Sequence, residues 1–114
     1  MNRLSGKVVL VTGSGRGFGR AIAIAYASEG AKVVSVARSV NELRDAERTM
    51  KEVGGEVLTV PADISNDDGI NLVHDRVIES YGGLDVLVNN AATNSWLTIE
   101  DMTMESFDNI INVN

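Results

Sequence analysis

The stretch from Val8 to Gly19, VVLVTGSGRGFG, constrains the rest of the chain more than any other. Four apolar residues, Val8, Val9, Leu10 and Val11, run into a glycine-rich turn, and a helical pattern opens at Phe18. The reading is a strand, a turn of phosphate size and a helix. Glycine serves such a turn in two ways: it supplies positive φ, and it lets backbone amides approach an anion with no Cβ in the way. Taken by itself, the stretch leaves open a strand-to-helix turn that holds no ligand.

The spacing narrows the choice. Gly13, Gly17 and Gly19 follow Thr12 as Thr-Gly-x-x-x-Gly-x-Gly. Phe18 and Arg20 stand where the ordinary Gly-x-Gly-x-x-Gly dinucleotide pattern wants glycine, and no Gly-Lys-Ser/Thr follows to hold magnesium and a γ-phosphate. This turn resembles that of the short-chain dehydrogenase/reductases, including the 3-oxoacyl-ACP-reductase-like members. The resemblance implies that Gly13, Ser14, Gly15, Arg16, Gly17, Phe18 and Gly19 border a dinucleotide cofactor.

The chain's 114 residues make at most one domain, and 44% apolar with 23% charged residues is a globular composition. The net charge of -6 argues against a nucleic-acid surface, but it hides a split. Residues 1–52 balance at +4 and residues 53–114 at -10, so positive charge gathers with the glycine turn. That suits a ligand with several phosphates, and it suits an ordinary solvated surface equally well. The absence of cysteine removes disulfides, thiolate catalysis and zinc-thiolate sites from consideration. With no apolar leader-like stretch and no 18-residue apolar run, a cytoplasmic protein without a membrane partner is expected.

After the turn, Phe18, Ala21, Ile22, Ala25 and Tyr26 recur at helical spacing, with Gly30 as the stop, and predict the face laid on the sheet. Lys32 to Val36 is a second strand, followed by Ala37 and Arg38. Dinucleotide folds that hold a ribose hydroxyl carry an acid at this strand end, whereas a nearby arginine accommodates a 2′-phosphate. With no acid at Ala37 and a guanidinium at Arg38, the phosphate is favoured; a surface arginine is the alternative. Ser39 and Glu42 form a Ser-x-x-Glu capping box ahead of Leu43, Ala46, Met50 and Val53, and Gly54-Gly55 closes that helix. Arg44, Glu47, Arg48 and Lys51 make its solvated face.

Val57 to Val60 predicts a third strand, and Asp63-Ile64 follows at its carboxyl end. Asp63 can accept from an exocyclic amine while the Ile64 backbone reads a ring edge, or it is an ordinary turn aspartate. Ser65 to Asp68 caps a helix with Ile70, Val73, Val77, Ile78 and Tyr81 on its buried face and Gly82-Gly83 at its end. His74, the single histidine, is read as a helix-surface residue. Leu84 to Val88 is the fourth strand, and the segment 93–101 with Trp96 reads as a loop. Thr103 caps a last predicted helix, with Met104, Phe107, Ile111 and Asn114 on one face.

The family resemblance adds roles to these positions. A basic residue before the second motif glycine accompanies NADP preference there, and Arg16 holds that place, so Arg16 and Arg38 form the expected clamp for NADP in preference to NAD. An acid and an aliphatic residue meet the adenine, as Asp63 and Ile64 are placed to do. The family's Asn-Asn-Ala-Gly appears as Asn89-Asn90-Ala91-Ala92, with Asn90, Ala91 and Ala92 implied to border the cofactor ribose and a methyl standing where the family has none. Asn114, in Ile-Asn-Val-Asn, matches the asparagine that holds the proton-relay water.

Four strands alternating with four helices predict an α/β fold, the first half of a Rossmann-type doubly wound parallel sheet in the order 3-2-1-4. A dinucleotide is expected in the cleft between strands one and four, where the order reverses. The resemblance implies a cofactor-binding domain over residues 1–114, cut before the family's catalytic serine and Tyr-x-x-x-Lys. It implies hydride transfer between NADP(H) and a small carbonyl or alcohol substrate, in a homo-oligomeric parent enzyme. Tyr26 and Tyr81 cannot replace that pair, because Gly30 and Asp85 stand four residues on. The chain alone is therefore expected to be inactive. A non-catalytic NADP(H)-binding module and an interaction fragment exposing an apolar edge at Leu84 to Val88 are the alternatives.

Overall fold

The computed structural model describes residues 4–88 and 111–113. Strand β1 (Val8–Thr12) leads through the glycine turn into helix α1 (Gly17–Ser28), followed by β2 (Lys32–Ala37), α2 (Val40–Glu52), β3 (Glu56–Pro61), α3 (Asp67–Tyr81), β4 (Val86–Val88) and β5 (Ile111–Val113). The sheet order is β3-β2-β1-β4-β5, and every neighbouring pair is parallel. The register sets Val9 beside Val33 on one side and Val86 on the other, so β1 is the central strand on which both halves are built.

Burial on both faces explains why β1 has no alternating pattern. Val9 and Val11 pack with Val33, Val86 and Val88 beneath α1 and α2. Val8 and Leu10 point the other way, where Val34, Val36, Val60 and Leu87 meet Ile70, Val73 and Val77 of α3. Connections that place α1 and α2 on one face and α3 on the other reverse the winding at β1 and β4, as a doubly wound sheet requires.

Two local expectations are corrected. Helix α1 does not bury the stripe of Phe18, Ala21, Ile22, Ala25 and Tyr26; it buries Gly19, Ala23 and Ala27. Phe18 is 76% exposed, while Ile22 and Tyr26 only flank the core. The small residues win because the helix lies close to its neighbours: a Cβ on Gly55 would stand 2.5 Å from the Ala27 Cβ. Large apolar side chains on that face would hold the helix off the sheet.

The second correction concerns the last predicted helix, which does not extend over residues 111–113. Ile111–Val113 is a strand whose residues pair with Val86, Leu87 and Val88. An open β4 edge leaves backbone donors and acceptors unmatched, and a short segment with two β-branched residues satisfies them better as a strand than as a helical turn. The apolar edge expected on β4 is thus covered by the chain itself. Thr103, Met104, Phe107 and Asn114 lie outside the described residues.

The helix ends follow their capping chemistry. The Ser39 hydroxyl oxygen accepts the Glu42 amide at 3.2 Å, and the Asn66 side chain accepts the Gly69 amide at 2.8 Å. Gly82, at φ 66°, closes α3 in the left-handed conformation. On the outer face of α2, Lys51 pairs with Glu47 at 3.2 Å and Arg48 with Asp45 at 3.4 Å.

Candidate functional site

At the carboxyl ends of β1, β2 and β3 the described residues enclose a cavity of about 770 Å³. That is within the range of small-molecule and cofactor sites. Three segments build it: the turn after β1, the end of β2 with the start of α2, and the residues after β3.

The turn carries the positive φ that its glycines were expected to supply, 63° at Gly13 and 61° at Gly17. Gly15 answers the second need. A Cβ there would lie 3.1 Å from the Cβ atoms of both Ala37 and Glu42, so any larger residue would press the turn against β2 and α2 by a few tenths of an ångström. Ser14 faces inward: it is fully buried, its hydroxyl is 2.6 Å from that of Ser35, and its amide donates to the Val36 carbonyl at 3.1 Å. The Ser14 side chain therefore anchors the turn to β2.

Helix α1 begins beside the cavity with Arg16 as N-cap, no side-chain cap bond and no acidic residue in its first turn. Such a terminus presents amides and the positive end of the helix dipole to an anion. Arg16 and Arg38 both line the cavity from exposed positions, with Ala37, the last residue of β2, contributing no acid.

Asp63, Ile64 and Ser65 form the opposite wall. The Asp63 carboxylate accepts the Ser65 amide at 3.0 Å and the Ser65 hydroxyl at 2.6 Å. Those two bonds, helped by the charge of Arg38, hold the Asp63 carboxyl below its ordinary value, so it is ionised at neutral pH. Ile64 is buried in the α3-side core, which fixes the backbone that reaches the cavity.

The structure thus brings Gly13, Gly15, Arg16, Gly17, Arg38, Asp63 and Ile64 around one cavity. Phe18 and Gly19 do not line it; Gly19 is instead buried on the inner face of α1. Asn90, Ala91, Ala92 and Asn114 lie outside the described residues. The cavity is over β1 to β3, while toward β4 the description ends at Val88, whose carbonyl receives the Thr12 hydroxyl at 3.5 Å. Sequence reading missed Ser39 and Glu42 as wall residues. The signal available was position: Glu42 lies three residues after the N-cap Ser39, in the first turn of a helix that starts at the strand ends.

Among the described residues, no group of three or more His, Asp or Glu is placed to hold a metal ion, and no helix is long and apolar enough to cross a membrane.

A parallel sheet in the order 3-2-1-4 with helices on both faces and a glycine turn at its central strand defines a Rossmann-like α/β domain. The profile of the family described as short chain dehydrogenase matches residues 7–114, and the chain belongs to that family of oxidoreductases. Versicolorin reductase stcU of Emericella nidulans is 38% identical over 98% of this chain and 43% of its own length. L-sorbose reductase from Gluconobacter frateurii, solved in complex with NADPH and L-sorbose, is 47% identical at a TM-score of 0.77, covering 82% of this chain and 36% of that one. A metagenomic short-chain oxidoreductase solved with NADP is 34% identical at a TM-score of 0.80, over 96% of this chain and 62% of its own. The chain therefore spans under half the length of the curated relative and of the sorbose reductase.

Proposed function

We propose that this chain binds NADP(H) in preference to NAD(H), as the cofactor-binding part of an oxidoreductase acting on a small carbonyl or alcohol substrate. The observation that carries the reading is the pair Arg16 and Arg38 on one cavity at the end of β2, where Ala37 offers no carboxylate to a ribose hydroxyl. Guanidinium groups match phosphate geometry and charge, and a carboxylate at Ala37 would have opposed both. The glycine turn and the start of α1 face the pyrophosphate in this reading, and Asp63 and Ile64 border the adenine. The NADPH- and NADP-bound relatives support it.

When bound, the cofactor supplies the hydride. This chain's residues supply binding and orientation. General acid/base work is not assigned to Tyr26 or Tyr81, since neither has a lysine four residues on. Asn90, Ala91, Ala92 and Asn114 complete the ribose and relay side of the site in this reading. The domain over residues 1–114 then binds the dinucleotide without turning it over.

Parallel titrations with NADPH and NADH test the preference. NADPH is expected to bind about tenfold tighter or better, the worth of one or two charge-assisted contacts. Equal affinities would overturn it. Steady NADPH oxidation by this chain with a carbonyl substrate would overturn the binding-only role.

A further inference from the structure

Glu42 is read from sequence as the second half of a capping box, but its carboxylate does not close that box. The Ser39 oxygen accepts the Glu42 amide, while the Glu42 side chain turns toward the cavity. Its Oε2 stands 3.9 Å from Arg16 Nε, and its Oε1 lies 3.4 Å from where a Cβ on Gly15 would be. The first turn of α2 thereby places a carboxylate against one of the two arginines assigned to the phosphate.

Four charged side chains face this cavity: Arg16, Arg38, Asp63 and Glu42. The Asp63 carboxylate is engaged by Ser65 on the far wall, so the acid that meets Arg16 is Glu42. A phosphate entering beside Arg16 has to displace that contact, and it then sits near a like charge well inside one Debye length.

We propose that Glu42 is a cofactor-selectivity residue: it holds Arg16 when no phosphate is present and lowers the advantage of a 2′-phosphorylated dinucleotide over an unphosphorylated one. This deepens the NADP(H) reading and rests on it. Arg16 is 86% exposed in its side chain and Glu42 38%, so the effect is modest. Exposed ion pairs are worth up to about 1 kcal/mol, which is a factor of roughly five in affinity.

The test titrates the chain and its Glu42→Gln variant with adenosine 2′,5′-bisphosphate and with adenosine 5′-phosphate, at low and high salt. Glutamine keeps the side-chain length and leaves the Ser39 cap in place. The variant is expected to bind the bisphosphate roughly three to five times tighter, with the gain shrinking at high salt, while 5′-phosphate affinity stays within about twofold. Glu42→Ala should act in the same direction. A parent that prefers the bisphosphate, with neither variant gaining, overturns the role of Glu42 and leaves the NADP(H) reading standing. Failure of both probes to bind parent and variants overturns both readings.

Discussion

The bare Cα of Gly69 lies directly against the backbone of Asp63: a Cβ built on Gly69 would stand 2.6 Å from the Asp63 carbonyl carbon and 3.2 Å from its nitrogen. The first turn of α3 is therefore wedged under the cavity wall. Gly→Ala in a helix ordinarily stabilises by about 0.5–1 kcal/mol, but overlap with backbone cannot be relieved by a rotamer change. Gly69→Ala is expected to cost roughly 1–3 kcal/mol in urea unfolding. It should also weaken nucleotide binding, because Asp63 and Ile64 must shift.

Ser14 and Ser35 share a buried hydroxyl pair 2.6 Å apart. Ser14→Ala leaves the Ser35 hydroxyl without that partner and is expected to cost about 1–3 kcal/mol. The double variant Ser14→Ala with Ser35→Ala should be more stable than the sum of the single losses predicts. A double-mutant cycle by chemical denaturation reads the coupling directly.

Ser39 caps α2 through its bond to the Glu42 amide. Ser39→Ala is expected to lower stability by about 1 kcal/mol, seen as a shifted urea midpoint with an unchanged slope.

Tyr81 titrates in a direction that marks the opposite pole of the sheet. Partial burial and then hydrogen bonding to Glu56 raise its pKa from 10.0 to about 12, and Lys32 Nζ sits 5.6 Å above its ring. A raised folded value means that Tyr81 supports the fold fully below pH 10, and that this support is lost as the pH climbs from 10 through about 12. Denaturation followed from pH 9 to 12 should fall more steeply for the parent than for Tyr81→Phe. Asp63 has the reverse sign: its lowered pKa contributes above the ordinary value of 3.8 and is lost as the pH drops through the folded value.

Much of this was readable because β1 imposes few alternatives. A continuous apolar strand followed by Thr-Gly-x-x-x-Gly-x-Gly fits a central parallel strand, and the caps at Ser39 and Asn66 are local chemistry that tertiary packing left intact. The buried face of α1 is not legible from hydrophobicity. At Gly19, Ala23 and Ala27, closeness decided instead, and closeness is not written in a helix's own period. Ile111–Val113 is illegible for a related reason: helical spacing does not reveal that a neighbouring strand has an edge to cover. The cavity-facing turn of Glu42 was hidden by its plausible local role, since a capping box explains a Ser-x-x-Glu without any need of Arg16.

Val8 and Asp85 are tied twice, the Val8 amide donating to the Asp85 carboxylate at 2.9 Å and the Asp85 amide to the Val8 carbonyl at 2.9 Å. They are 77 residues apart, whereas Val8 and Lys32, its neighbour in β2, are separated only by α1 and its turns. Closing the longer loop costs about 1 kcal/mol more entropy, before β4 has a docked surface to reward it. The Val8–Asp85 tie thus closes the longer loop of the two and carries the larger entropic cost. The cavity over β1, β2 and β3 therefore rests on strand pairings of shorter span than the one that docks β4.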